Sequence, residues 1–154
     1  MVLETGQLLS QAIRVTPEWR DYVGYSFTSS LYKVTHVHHP SAKWCRRSVP
    51  NLYWLAKHGM ALSDEYSHRF WRTHKTRSII KQVLDIIPKL PALPDCDTLT
   101  PFAQAMPDQY KNPDDPVSAY RNYYLSEKIN NDSRWTNRRA DLPDWLFVPA
   151  TLVT

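Results

Sequence analysis

The sequence has few cysteines, which form disulfides, and few glycines, which form phosphate-binding loops. There are two cysteines and three glycines in 154 residues. The cysteines, Cys45 and Cys96, form neither a disulfide framework nor a CxxC metal pair, and we interpret both as free thiols. There is no Gly-rich phosphate loop and no internal repeat. The sequence therefore lacks the signatures of a disulfide-stapled domain, of a P-loop nucleotide-binding protein and of a repeat protein.

Long hydrophobic runs are also missing. No window approaches the roughly 18 consecutive apolar residues of a membrane span, and the N-terminus lacks the charged-then-apolar pattern of a secretory signal. With 42% hydrophobic and 22% charged residues, the chain has an ordinary globular composition. We predict one soluble, intracellular domain spanning residues 1–154.

Positive charge is concentrated in one block of the sequence. Between Lys43 and Lys81, nine Lys or Arg residues stand against two acids, Asp64 and Glu65. This surplus of seven exceeds the +4 of the whole chain, so the remainder is net acidic. Together with six Trp and nine Tyr, the block indicates a surface that can bind a polyanion.

Hydrophobic periodicity predicts an all-α fold of four to five helices. The central helix is predicted from Leu52 to Arg72, after Ser48 as its N-cap and with Pro50 in its first turn. Leu62 falls on its predicted buried face, and Gly59 within that face indicates close approach of another helix. Further helices are predicted at residues 1–15, at 78–87, after Asp114 or Asp115, and briefly after Ser41 as its cap.

The remaining segments are predicted as ordered loops. Residues 16–38 show no sustained helical period, and within them residues 31–37 favour an extended conformation. Seven prolines punctuate residues 88–116 and exclude a regular helix there.

The six histidines raise a metal hypothesis. Glu65 and His68 lie one helical turn apart, His74 follows, and His36, His38 and His39 cluster in a predicted loop. There is no second Glu-x-x-His helix and no tight His pair. We therefore predict no metal and no cofactor, and we interpret the histidines as surface or hydrogen-bonded residues.

Basic residues around Trp71 form the candidate nucleic-acid-binding site. Lys and Arg neutralise phosphates and release counterions, while Trp can stack on a base. The alternative is a solvated helix face whose cations pair with acids of the Pro-rich loop. The candidate residues are Arg46, Arg47, Arg69, Trp71, Arg72, His74, Lys75 and Arg77, with Arg134, Arg138 and Arg139 of the tail extending the surface.

Glu4 is the candidate catalytic carboxylate. Its neighbours Val2, Leu3 and Leu8 are apolar, a setting that favours acid or base chemistry. The alternative is a solvated first-turn glutamate that favours the helix dipole.

The order of several motifs resembles a family of small phage-encoded proteins. These motifs are ETGQLLS, YKVTHVHHPSAKW, LSDEYSHRFWRTHK, LTPFAQAMPDQYK and AYRNYY, and they cover most of the chain. Some members are distantly similar to the pyrimidine-dimer DNA glycosylases, small all-helical phage repair enzymes. The resemblance implies a protein of the infected host cytoplasm that binds double-stranded DNA through the basic helix and the HHP segment. It also implies a DNA glycosylase and abasic lyase activity on damaged or modified pyrimidines.

In those glycosylases the N-terminal amine attacks the sugar C1′ to form an imine, and a glutamate of the first long helix assists ring opening. Glu4 matches that glutamate by its position in the helix. The resembling proteins carry a further segment before this helix, whereas the present sequence begins at Met1 within it. The resemblance thus predicts either a misassigned start or a member that binds without cleaving. The alternative function is a non-catalytic phage interaction protein that binds a host or defence factor.

Overall fold

The structure, a computed structural model, describes residues 1–129 and 141–147. This part of the chain is helical without β-strands, which confirms the predicted all-α class. Its α-helices are α1 (Val2–Val15), α2 (Pro17–Ser30), α3 (Pro40–Cys45), α4 (Val49–Phe70), α5 (Arg77–Ile86) and α6 (Pro116–Tyr123). Short 3₁₀ turns lie at Ile87–Lys89, Asp108–Tyr110 and Asp144–Phe147, and a π-helical turn at Tyr124–Lys128 continues α6. None of the described helices combines the length and apolarity needed to span a membrane.

The chain divides into two compact units, of which the first is Met1–Thr100. Helix α1 is its hub, because it contacts α2, α3, α4 and α5. Leu9, Ala12 and Ile13 of α1 are almost fully buried, and so is Ser10, whose hydroxyl donates to the Gly6 carbonyl at 2.7 Å. Such a back-bond to the preceding turn satisfies a polar side chain inside a core. The sequence predicted α4 as the central helix, but α1 contacts more of the other helices than α4 does.

Helix α4 begins as the sequence predicted. The Ser48 hydroxyl accepts the Asn51 N–H at 3.2 Å, and Pro50 occupies the first turn, where a missing N–H costs nothing. Leu52, Leu55 and Ala56 are buried. Beyond Gly59 the buried stripe continues through Ser63, so the predicted burial of Leu62 is only partial.

Gly59 lies where α4 crosses α1 and α5. A Cβ atom at this position would lie 2.6 Å from Cγ2 of Thr5 and 3.2 Å from Cδ1 of Ile80. These separations are shorter than van der Waals contact, so the three helices meet where a side chain is absent. The close approach predicted from Gly59 is confirmed.

The predicted loop at residues 16–38 is wrong over Pro17–Ser30, which form α2. This helix was hidden because only Trp19 and Thr28 are buried, so the sequence carries no apolar stripe. Gly24 also interrupts it with non-helical torsions, φ 75 and ψ 175. Pro17 at the first helical position was the available signal.

Two smaller expectations around α3 also need correction. The short helix is capped by His39, whose Nδ1 accepts the Ser41 N–H at 3.2 Å, and not by Ser41 itself. Residues 32–36, within the segment predicted as extended, form no strand. They lead into a turn in which the His39 N–H donates to the His36 carbonyl at 2.9 Å.

Both cysteines are free thiols, as predicted. Cys45 is fully buried, and this burial raises the pKa of its thiol far above the ordinary value. Cys96 is partly exposed and its Sγ lies 3.4 Å from the Thr98 carbonyl oxygen.

The second unit begins at Pro101. Helix α6 starts after Asp115, as predicted, and the Asp115 carboxylate accepts the Ser118 N–H at 3.0 Å. Hydrogen bonds from the Ser118 hydroxyl and N–H hold the pKa of Asp115 below its usual value. The preceding Pro-rich residues are ordered by Tyr120, whose hydroxyl donates to the Ala103 carbonyl at 2.8 Å and accepts the Ala105 N–H at 3.0 Å.

Candidate nucleic-acid interface

The most exposed aromatic side chain of the basic block is at the end of α4. Trp71 caps this helix in a left-handed conformation, φ 53 and ψ 31, and is 87% exposed. The adjacent Phe70 is 57% exposed. Because the left-handed residue reverses the chain, residues 70–77 form a projecting turn between α4 and α5, which we call the α4–α5 tip.

Aromatic contacts give the tip a defined shape. The Tyr66 ring contacts Phe70 at 4.8 Å and, edge-on, His74 at 4.9 Å between centroids. Nδ1 of His74 accepts the Thr76 N–H at 3.2 Å, which leaves Nε2 as its hydrogen-bond donor. The His68 ring lies 6.4 Å from that of Trp71. Trp71 is therefore presented on an ordered turn.

Two of the predicted cations are neutralised by acids of α4. Nε of Arg69 lies 2.6 Å from Oε1 of Glu65, and Arg77 pairs with Asp64. The alternative interpretation, in which the cations pair with acidic residues, is thus correct for these two arginines. The acidic partners lie in α4, however, and not in the Pro-rich loop. The pairs lower the net charge that the tip offers to a polyanion.

Arg72 and Lys75 differ from the two paired cations. Nε of Arg72 donates to the Tyr66 hydroxyl at 2.8 Å, and the guanidinium carbon lies 5.7 Å from the Tyr66 ring centroid. This contact orients the guanidinium without removing its charge. Lys75 is exposed, and neither cation has a carboxylate partner within residues 1–129 and 141–147. They are the cations that the tip can present to phosphates.

The other predicted residues lie elsewhere. Arg46 and Arg47 follow α3, at the opposite end of the 22-residue α4, a distance of about 33 Å. Nη1 of Arg46 donates to the Val37 carbonyl at 2.9 Å, while Arg47 is exposed. The structure thus gathers Arg69, Trp71, Arg72, His74, Lys75 and Arg77 and separates them from Arg46 and Arg47. Arg134, Arg138 and Arg139 fall outside the described residues.

Glu4 lies in the first turn of α1, with its side chain 72% exposed and Oε2 3.4 Å from the Met1 amino nitrogen. The predicted apolar setting of Glu4 is therefore wrong, because its side chain points into water, and the alternative of a solvated first-turn glutamate holds. The nearby Gly6 packs directly on the Thr76 side chain and leaves no room there for a Cβ atom. The first turns of α1 and the α4–α5 tip therefore lie at the same end of the unit.

No metal site emerges from the histidines that are described. Glu65 is engaged by Arg69, and Nδ1 of His39 caps α3. Within the described ranges, no three His, Cys, Asp or Glu side chains come close enough together to hold a metal ion.

Sequence reasoning missed an aromatic stack in the first half of α4. Trp54 and His58 stack with centroids 5.1 Å apart and planes 13° apart, and Trp44 meets Trp54 edge-on at 5.8 Å. The spacing of Trp54 and His58 by four helical residues was the available signal. The half-buried setting lowers the pKa of His58, because desolvation disfavours the imidazolium.

The lowered pKa of His58 predicts a pH dependence of stability. In the unfolded chain a histidine titrates near about pH 6.5, and His58 titrates lower in the folded protein. Between these two values the unfolded chain binds more protons, so the free energy of unfolding falls as the pH is lowered through this window. Urea denaturation between about pH 8 and about pH 5 should show a weaker pH dependence for His58→Gln than for the wild type.

The exposed residue His38 supplies the control for this measurement. His38→Gln should retain the pH dependence of the wild type. If His58→Gln retains it as well, His58 is not the group responsible.

Comparisons of the chain with protein-family models, with curated proteins and with solved structures find no match. The resemblance to phage proteins therefore stays a prediction from the motifs. The chemistry of the α4–α5 tip is the basis on which a function can be proposed.

Proposed function

We propose that the protein binds double-stranded DNA through the α4–α5 tip. The observation that carries this proposal is Trp71, which is 87% exposed on an ordered turn beside Arg72. A large aromatic side chain left in water gains free energy when it is covered, and base or sugar surfaces offer such cover. Trp71 therefore supplies the apolar contact of the interface.

Arg72 and Lys75 supply the electrostatic contacts. Tyr66 holds the Arg72 guanidinium through its Nε, so the two Nη groups can donate together to one phosphate. Lys75 adds a cation on the same turn. His74, with Nδ1 occupied by the Thr76 N–H, offers Nε2 as a further donor.

The catalytic proposal is more specific and comes from the resemblance. A DNA glycosylase and abasic lyase acting on damaged or modified pyrimidines would use Glu4 as its acid and base. Its support from the geometry is that α1 begins at the same end of the unit as the tip. The rival function is a non-catalytic protein that binds a host or defence factor.

Fluorescence anisotropy with labelled duplex DNA over a series of salt concentrations tests the binding. Arg72→Gln with Lys75→Gln should weaken binding for every sequence and reduce the salt slope by about two, since each phosphate contact contributes about 0.9. Trp71→Ala should weaken binding about 5- to 150-fold, the effect of losing one stacking contact of about 1–3 kcal/mol. Lys57→Gln with Lys89→Gln, which removes equal charge from exposed positions without a carboxylate partner in the described chain, is the matched control.

The outcomes separate the functions. Equal loss in the tip and control variants would mean that net charge, and not the tip, determines binding. Cleavage of abasic or ultraviolet-damaged duplex by the wild type, lost in Glu4→Gln with binding retained, would support the enzyme. Absence of DNA binding by the wild type at low salt would leave the interaction protein.

A further inference from the structure

A long interval of the first unit contains no acidic residue. Between Asp21 and Asp64 there is no Asp or Glu. The same interval contains five Lys or Arg and four His, namely Lys33, His36, His38, His39, Lys43, Arg46, Arg47, Lys57 and His58. This interval differs from the α4–α5 tip, where Asp64 and Glu65 neutralise two of the cations.

The structure fixes where this interval runs. At its start, the Tyr32 hydroxyl lies 2.9 Å from the Thr76 hydroxyl, so the loop that follows α2 begins at the tip. At its end, Arg46 donates to the Val37 carbonyl and His39 caps α3. Residues 32–39 thus connect the tip to α3, over at most about 26 Å.

The basic residues between Lys33 and Arg47 are available to a ligand. Three Lys or Arg and three His of this stretch are exposed, and none has a carboxylate partner in the part of the chain that the structure describes. They are Lys33, His36, His38, His39, Lys43 and Arg47, which we call the acid-free track. Its Lys and Arg residues carry positive charge that no acid of the described chain compensates, and a bound polyanion would compensate it.

The turn in the middle of the track has an uncommon conformation. His36 adopts a left-handed backbone, φ 53, which costs free energy for a residue with a Cβ atom. Its carbonyl accepts the His39 N–H, which closes the turn. His36, His38 and His39 are all exposed on or beside this turn.

We propose that the acid-free track binds the sugar–phosphate backbone of the nucleic acid whose base or sugar contacts Trp71. The inference rests on the proposed function, because the Tyr32 contact with Thr76 makes the track continuous with the tip. Phosphates recur at about 3.4 Å along a strand, so residues 32–39 can accompany at most about seven of them. A nucleic-acid backbone carries its phosphates at regular intervals, whereas the carboxylates of an acidic protein surface are scattered. The backbone therefore suits a succession of exposed basic residues better than an acidic protein does.

Salt-dependent anisotropy on the full chain tests this assignment with matched variants. Lys33→Gln, Lys43→Gln and Arg47→Gln together should reduce the salt slope by about two to three and weaken binding at least about tenfold. The control combines Lys57→Gln, Lys89→Gln and Lys128→Gln, which removes the same charge from exposed positions off the track that have no carboxylate partner in the described chain. The control should change affinity much less than the track variant.

A length series provides a second measurement that does not depend on net charge. Wild-type affinity should rise with oligonucleotide length until the track is filled, at most about seven nucleotides beyond the base at Trp71. The track variant should reach its plateau at shorter lengths.

Three outcomes would overturn the proposal. If the track variant behaves as the control does while the Trp71 and Arg72 variants still lose binding, the track is wrong and the proposed function stands. If the wild type binds no nucleic acid, both are wrong. If polyglutamate competes as strongly as DNA of equal charge, the track binds an acidic protein instead.

Discussion

Replacing Asn51 with Ala is expected to lower the free energy of unfolding by about 3–5 kcal/mol, the largest effect of a single polar substitution in the first unit. Asn51 is fully buried at the start of α4. Its Nδ2 donates to the Trp44 carbonyl and to the Thr100 hydroxyl, both at 2.8 Å, and its Oδ1 accepts the Thr100 N–H at 2.9 Å. Alanine would leave buried backbone groups without partners and a cavity beside them.

The loss should be cooperative, because Asn51 joins α3 and the start of α4 to a segment 49 residues away in sequence. Nε1 of Trp44 donates to the Thr100 carbonyl at 3.3 Å, and the Ser48 hydroxyl donates to the Thr98 carbonyl at 2.9 Å. Urea denaturation should show a lower midpoint with an unchanged slope. In the folded variant, the Thr100 amide should also exchange with solvent faster.

Lys57→Ala provides the control in the same helix, since Lys57 is exposed and its removal should cost less than about 0.5 kcal/mol. A loss of under about 1 kcal/mol for Asn51→Ala would contradict the prediction. It would mean that water or a local shift replaces the lost partners.

Introducing a side chain at Gly59 is expected to destabilise the protein, although alanine is the better helix former by about 1 kcal/mol. The new Cβ atom would lie 2.6 Å from Cγ2 of Thr5. Threonine in a helix has few rotamers, so the two helices have to move apart. We expect Gly59→Ala to cost about 1–3 kcal/mol and Gly59→Leu more, as measured by urea denaturation.

A double-mutant cycle makes this prediction specific to one contact. Thr5→Ser removes Cγ2 but keeps the hydroxyl that donates to the Met1 carbonyl at 3.0 Å. Combined with Gly59→Ala it should recover much of the loss, with a coupling of about 1 kcal/mol or more. Simple additivity of the two substitutions would show that α1 and α4 do not meet at these atoms.

The sequence predicted helices where burial leaves a regular pattern. Leu52, Leu55, Ala56 and Gly59 gave the correct phase of α4, and Ser48 with Pro50 gave its start. Helix α2 could not be predicted in this way, because one buried Trp19 carries most of its packing. Periodicity detects a stripe of apolar residues, and a helix anchored by a single large side chain has none.

The sequence predicted which types of residue form the candidate site, but not how all of their side chains pair in the fold. The pairing of Arg69 with Glu65 follows from their spacing of four residues in a helix. The pairing of Arg77 with Asp64 depends on how α5 meets α4, which local spacing does not encode. The Asn51 network likewise needs Thr100, 49 residues away. Long-range contacts of this kind are set by the packed fold.

The position of α1 as the hub of the first unit has a consequence for synthesis on the ribosome. Helix α1 is made before α4 and α5, which cover it and end at Phe70 and Ile86. At a synthesis rate of about 5–20 residues per second, these partners are complete on the order of 4–15 s after Leu9 and Ile13 have been made. During that interval the nascent chain exposes the side chains that later form its core. Chaperones that bind short apolar helices would therefore have access to α1 before its partners are made.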